Sequence, residues 1–240
     1  MPRFYLAAPL TSGQSLELPE NVVRHLHVLR LREGEEITLF NGNGLSYPAR
    51  LLSIAKRQAV AEVMAEQTCE NESPLAIQLI QAVSSGERMD FTLQKSVELG
   101  VTDIFPVSSS RSIVKLSGER AEKRIERWQE IVIAACEQSG RNRIPTVHPL
   151  LPLTQRLQQL PDSDVRLLMG LHHPQSLKDI APPPQRITLM IGPEGGWSQE
   201  EEQTAFQTGF RSILLGKRVL RTETAALAAI AAMQTLWGDF

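Results

Sequence analysis

Cysteine is scarce in this chain of 240 residues: Cys69 and Cys136 are the only two. They cannot build a disulfide framework, and they fit a reducing, cytoplasmic setting. No set of His, Cys, Asp and Glu falls at metal-ligand spacing, so no metal is expected. An excess of one charge is also missing. The chain has 25 Lys and Arg against 27 Asp and Glu, a formal charge of −2, and each third of it is nearly balanced. That argues against a protein holding nucleic acid by net charge and leaves a local basic face as the way to meet one. No apolar run approaches the ~20 residues of a membrane span. The opening MPRFYLAAPLTSG has one Arg and a short mixed run, too weak for a secretory signal. GxGxxG, Gly-Lys-Ser/Thr and Gly-x-Ser-x-Gly are all missing, and with them the usual dinucleotide, P-loop and serine hydrolase signatures.

What remains is ordinary globular composition, 42% hydrophobic and 22% charged, long enough for two domains. The first stretch reads as β-rich. RFYLA (3–7), EEITLF (35–40), LSYPARLL (45–52) and QAVAEVMAE (58–66) are strand candidates, with NGNG (41–44) a turn between the second and third. One helix carries Val22, Leu26 and Leu29 at i, i+4, i+7. Short strands around one helix suggest a small barrel, and CENESP (69–74) reads as a linker. This places a first domain at 1–72 and a second at 73–240.

In the second part strands alternate with helices, which implies a parallel sheet covered on both faces, an α/β domain. AIQLIQAV (76–83), DIFPVSS (103–109), VRLLMG (165–170), ITLMIG (187–192) and RSILLG (211–216) are its strands. Helices are expected at 89–100, 119–140, from a Ser198/Glu201 capping box, and at 222–237 with Thr222 as N-cap. Ligands in such sheets sit beyond the carboxyl ends of the strands. There the last three strands end in Gly170, Gly192 and Gly216, which let backbone approach a ligand closely. The alternative is that these glycines merely terminate strands.

Two sequences at those ends stand out. In Ile191-Gly192-Pro193-Glu194-Gly195-Gly196-Trp197, Pro193 fixes φ while Gly195 and Gly196 free the backbone to present N–H groups. In Leu215-Gly216-Lys217-Arg218-Val219-Leu220-Arg221-Thr222, Arg221 sits ahead of a helix N-terminus, where the macrodipole gives a cation no stabilisation. A charge kept there serves a ligand or substrate, or else pairs with Glu223 or Glu194.

Six segments in order, MPRFYL, HLHVLRLREGE (25–35), QKSVELGV (94–101), ACEQSGRNRIP (135–145), IGPEGGWSQEE (191–201) and LGKRVLRTETAA (215–226), resemble the RsmE group of SPOUT methyltransferases, which methylate uracil N3 in small-subunit rRNA. The likeness covers nearly the whole chain. GPEGG followed by LGxRxLRxETA is its most specific part. The resemblance implies an N-terminal PUA-like RNA-binding barrel and a SPOUT-type α/β domain with a deep trefoil knot. It further implies S-adenosylmethionine as methyl donor, small-subunit (16S) rRNA as partner, and a homodimer. Carried over by position, the cofactor would meet Leu171, Ile191, Gly192, Pro193, Gly195, Gly196, Leu215, Gly216, Leu220 and Thr224. Arg221 becomes the candidate to stabilise charge developing on uracil, and Glu194 a candidate base or a brace for its loop.

Other residues keep two readings each. Arg24, His25, Arg30 and Arg32 form either an RNA-facing patch or a solvated helix face. Arg141 and Arg143 follow a helix that ends at Gly140, and Arg111 follows a strand. All three suit RNA phosphates, although helix C-termini also favour cations for local reasons. His172 and His173 suit loop packing better than a metal. The Ala-rich last helix is apolar nearly all round, which suits burial in the core, against a second subunit, or both. Two other classes stay open: a non-catalytic RNA-binding ribosome assembly factor, and an α/β enzyme using another adenine nucleotide.

Overall fold

The computed structural model describes residues 1–68, 71–170, 172 and 174–240. It divides into two compact units, Met1–Glu72 with Cys136–Ile144, and Ser73–Ala135 with Pro145–Phe240. No feature of the sequence sets residues 136–144 apart, yet they group with the first unit.

The first unit holds, in order, β1 (Arg3–Tyr5), β2 (Ser15–Glu17), α1 (Glu20–Val28), β3 (Glu36–Phe40), β4 (Leu45–Ile54), β5 (Ala59–Val63) and β6 (Gln67–Thr68). The sheet order is β1-β3-β4-β5-β2, with β6 pairing β4. The NGNG turn joins β3 to β4 as an antiparallel hairpin. Gly42 and Gly44 take φ of 90° and 94° there, and Asn43 Oδ1 accepts the Leu45 N–H at 2.8 Å. Along β5, Ala59, Ala61 and Val63 are buried while Val60 and Glu62 are not, the period of two that a half-buried strand requires. They share a core with Ile37, Leu39 and Leu51 of the sheet and Val22, Val23 and Leu26 of α1. Leu29, expected on that helical stripe, is instead the C-cap and 46% exposed. Val23, next to Val22 in the first turns of the helix, is buried in the same core.

The second unit contains β7 (Ala76–Ala82), α2 (Gly86–Glu98), β8 (Val101–Ser108), most of α3 (Gly118–Ser139), β9 (Thr146–Val147), β10 (Leu151–Pro152), α4 (Leu153–Gln158), β11 (Val165–Met169), β12 (Arg186–Ile191), α5 (Gln199–Gln207), β13 (Phe210–Ile213) and α6 (Thr222–Trp237). Strand order is β10-β8-β7-β12-β11-β13, with β9 on β8. Every recorded pair is parallel. Residues 187–191 of β12 are all buried, as a strand covered on both faces must be. The carboxyl ends of β12, β11 and β13, three neighbours in the sheet, therefore open on one edge. β13 stops at Ile213, so Gly216 lies in the following loop rather than at the strand end expected for RSILLG. On α6, Ala225, Ala226, Ala229, Ile230 and Met233 are buried, whereas Leu227, Ala228, Ala231 and Ala232 are half-exposed. Among the described residues no helix is long and apolar enough to cross a membrane.

Candidate functional site

Three loops leaving β11, β12 and β13 line a cavity of about 880 Å³, within the size of small-molecule sites. After β12, Gly196 N–H donates to the Pro193 carbonyl at 2.9 Å. Gly196 has φ +66°, a left-handed conformation that L side chains rarely adopt. A Cβ on Gly195 would come within 3.3 Å of Arg111 Cβ, so the backbone there has a close neighbour. The loop ends in the expected capping box. Ser198 Oγ accepts the Glu201 N–H at 3.2 Å, and Glu201 Oε2 accepts the Ser198 N–H at 2.8 Å.

The loop after β13 is tied to it through α6. Thr222 Oγ1 donates to the Gly192 carbonyl at 2.6 Å and accepts from Gln81 Nε2 at 3.2 Å. Thr222 was expected as the N-cap of α6. The cap position belongs instead to Arg221, and the Thr222 hydroxyl is turned to the neighbouring loop. Beside β11, a Cβ on Gly170 would meet Leu168 Cδ1 at 2.6 Å and Ser212 Oγ at 2.9 Å, so this position accepts glycine alone without a shift.

Of the expected cofactor residues, Ile191, Gly192, Pro193, Gly195, Gly196, Leu215, Gly216 and Leu220 all line the cavity. Leu171 lies outside the described residues. Thr224 does not line the cavity and is exposed, because it projects from the other side of the first turn of α6. The walls mix apolar side chains (Ile191, Leu214, Leu215, Leu220, Ala225, Ala228) with loop backbone. Three lining residues also present buried polar atoms without a hydrogen-bond partner: Trp197 Nε1, Glu194 Oε2 and Glu223 Oε2. One donor and two carboxylate oxygens without partners, in walls that combine apolar side chains, loop backbone and charged residues such as Arg88, Arg111 and Arg221, fit a nucleoside carrying a cationic chain, which S-adenosylmethionine is.

Glu194 is held firmly. Its Oε1 accepts from Ser85 N–H at 3.0 Å, Ser85 Oγ at 3.1 Å and Arg88 Nη1 at 3.1 Å. Burial pushes its carboxyl up, but hydrogen bonds from the Ser85 N–H, its own N–H, the Ser85 hydroxyl and Arg88 outweigh that, and it titrates below its ordinary value. A carboxylate so stabilised is a poor base. Of the two roles open to Glu194, the geometry favours the brace. Arg221 is exposed at the rim of the cavity. Among the described residues it makes no ion pair with Glu223 or Glu194, so the structural alternative for its charge is not realised.

Sequence reasoning passed over several lining residues. Arg88 follows the carboxyl end of β7, and that position alone could have flagged it. Glu202 of α5, the residue after the capping box, faces His172 at 3.4 Å and gave no pattern to detect. Arg111 lies at this cavity too, where its Nη1 donates to the carbonyls of Gly195 at 3.1 Å and Trp197 at 3.0 Å.

In the first unit Arg24, His25, Arg30 and Arg32 are all exposed around the end of α1. His25 makes an edge contact with Phe4. Arg143 is exposed as well. Arg141 corrects the expectation of a phosphate contact: it is 5% exposed, and its Nε and Nη2 donate to Glu72 Oε2 at 3.0 and 2.7 Å. A guanidinium satisfied in the fold in this way serves the unit's own packing. Cys136 is a buried free thiol whose burial pushes its pKa up to about 12, which leaves it inert. Cys69 and His173 lie outside the described residues. Among the described residues no group of three His, Cys, Asp or Glu could hold a metal.

Comparison with known proteins adds three findings. A family model described as an RNA methyltransferase domain matches residues 71–234, and one described as an RNA methyltransferase PUA domain matches 18–64. The ribosomal RNA small subunit methyltransferase E of Buchnera aphidicola is 33% identical over 244 residues, covering 100% of this chain and 95% of that protein. The protein of the same name from Bacillus subtilis is 30% identical over 249 residues, covering 97% and 96%. The crystal structure of a ribosomal RNA small subunit methyltransferase E from Neisseria gonorrhoeae, bound to S-adenosyl methionine, superposes with a TM-score of 0.96. It shares 59% identity and covers 100% of this chain and 99% of that one.

Proposed function

Because the chain belongs to the RNA methyltransferase family, we propose that it transfers a methyl group from S-adenosylmethionine to N3 of one uridine in the 16S rRNA of the small ribosomal subunit. The observation that carries the reading is the cavity itself. Three loops from three adjacent parallel strands enclose it, glycines and residues with orphaned polar atoms line it, and Arg221 at its rim makes no ion pair among the described residues.

When bound, S-adenosylmethionine supplies an electrophilic methyl group on a positively charged sulfur. Gly192, Gly196 and Gly170 give that group room against backbone, and the buried carboxylate oxygens of Glu194 and Glu223 suit its cationic chain. Holding the two reactants in line contributes about 7–11 kcal/mol to such a step. The uracil ring gives up its N3 proton to solvent, and the N3 lone pair of the anion would take the methyl group as the carbon–sulfur bond breaks and its electron pair stays on sulfur, leaving a neutral thioether and a neutral methylated ring. Arg221 stabilises the negative charge that proton loss puts on the ring until the methyl group arrives, as an always-charged, preorganised donor. Glu194 keeps the Gly192–Trp197 loop in place from α2. The first unit, with its exposed Arg24, His25, Arg30 and Arg32, holds the surrounding RNA while the target base is unstacked.

We further propose a cytoplasmic homodimer in which the half-exposed Leu227, Ala228, Ala231 and Ala232 of α6 meet a second copy. Calorimetric titration with S-adenosylmethionine, ATP and NAD tests the reading against its rivals. Heat with the first alone is expected. No heat with any of them supports a non-catalytic assembly factor, and heat with ATP or NAD supports a different adenine-nucleotide enzyme.

A further inference from the structure

Two arginines grip the Gly192–Trp197 loop from opposite elements. Arg88, in the first turn of α2, holds Glu194 through Nη1. Arg111, in the segment after β8, holds the carbonyls of Gly195 and Trp197, also through Nη1. The residues they grasp, Glu194 and Gly195, are consecutive, so the two guanidiniums attach to one short stretch of loop, and both line the cavity. Each leaves a further nitrogen edge uncommitted among the described residues. The Arg88 side chain is 41% exposed and Arg111 is exposed. Their charges are not equally matched. Arg88 has Glu194, whereas Arg111 donates to neutral carbonyls and makes no ion pair among the described residues.

Two exposed guanidinium forks anchored on consecutive loop residues, one of them without an ion pair among the described residues, offer the kind of donors that bind a phosphodiester. We propose that Arg88 and Arg111 together clamp a single phosphodiester of the substrate RNA at the mouth of the cofactor cavity. The loop they brace is the one that cradles the cofactor, so gripping the phosphate and ordering the cofactor pocket become one event. The inference rests on the RNA methyltransferase reading and adds to it where the RNA backbone is held.

The test uses Arg88→Gln, Arg111→Gln and the double variant, because a glutamine amide can still donate to the same oxygens while the charge is lost. Binding of unmethylated small-subunit rRNA is measured without cofactor over a tenfold range of KCl. The double variant is expected to lower the slope of log K against log[KCl] by about 0.7. That is about fivefold in affinity across the range, the counterion effect of one phosphate contact on a single strand. Each single variant should lose no more slope than the double one, since the remaining guanidinium still faces the shared phosphate. A merely bracing role changes S-adenosylmethionine affinity, read by calorimetry on the same proteins, without moving the salt slope. Unchanged slopes in all three variants overturn the clamp, and so does a loss of about 1.4 in the double variant, which would mean two separate phosphates. Thermal stabilisation of the wild type by inorganic phosphate, lost in the variants while the RNA slopes stay unchanged, would identify a free-anion site and also overturn it. Failure of the wild-type protein to transfer a methyl group would instead strike the methyltransferase reading alone.

Discussion

Replacing Thr222 by valine removes one hydroxyl and almost no volume, at the point where α6 is fastened to the loop after β12. Thr222 is 6% exposed. Its hydroxyl donates to the Gly192 carbonyl at 2.6 Å and accepts from Gln81 Nε2 at 3.2 Å. Gln81 keeps its second bond, to the Ala82 carbonyl at 3.0 Å, so its amide is weakened but not stranded. The Gly192 carbonyl loses a short partner inside a buried region. A net hydrogen bond contributes about 1 kcal/mol, and a buried group left unpaired costs about 1–3 kcal/mol. Thr222→Val should therefore destabilise the second unit by about 2 kcal/mol, roughly a thirtyfold change in its folded-to-unfolded ratio. Trp128, Trp197 and Trp237 all lie in this unit, so urea unfolding followed by tryptophan fluorescence reports it. S-adenosylmethionine affinity should fall by up to the same factor, since the loop must be reordered on binding. Thr222→Ser keeps the hydroxyl and should lose only its methyl group, about 0.8 kcal/mol. A valine variant within 0.5 kcal/mol of wild type, with unchanged cofactor affinity, would refute the claim that this contact organises the pocket.

Arg221→Ala should cut the rate of methyl transfer at saturating substrates by about 10²–10³ while leaving the melting temperature unchanged, because the exposed side chain makes no ion pair among the described residues. Arg221→Lys should recover little, since an ammonium lacks the planar fork. Single-turnover kinetics with melting curves checks both. For Glu194 the folded carboxyl is lowered below its ordinary value of 4.5. Its contribution to stability is then complete above that pH and lost as the pH falls through the lowered value. The stability gap between wild type and Glu194→Gln should stay constant from about pH 8 down to about pH 5 and close only below it. A gap already closing near neutral pH would restore Glu194 as a base. Light scattering at micromolar concentration should find a dimer of the 26.7 kDa chain, and a monomer would remove α6 as an interface.

How much of this was legible depends on how locally each feature is specified. The last helix reads correctly at both ends, 222–237, because a polar, charged loop meets an unbroken alanine-rich run. The capping box of Ser198 and Glu201 is a three-residue pattern and survives intact. The cavity was readable because three neighbouring parallel strands each lead into a glycine, directly at Gly170 and Gly192 and three residues past the strand at Gly216. Strands of two or three residues, such as β2, β6, β9 and β10, were not. Such pieces exist only because a partner strand is already present to pair them. The burial of Arg141 was equally invisible, since the carboxylate that satisfies it, Glu72, is 69 residues away in sequence.

The central claim is tested most directly on the product. Unmethylated small subunits, or the rRNA extracted from them, are incubated with the protein and methyl-labelled S-adenosylmethionine, then digested to nucleosides and analysed by mass spectrometry. The account predicts label in 3-methyluridine, at one site, and its loss with Arg221→Ala. Label appearing on a ribose, on a carbon of the ring or on another base would contradict it, as would no label in protein that binds the cofactor.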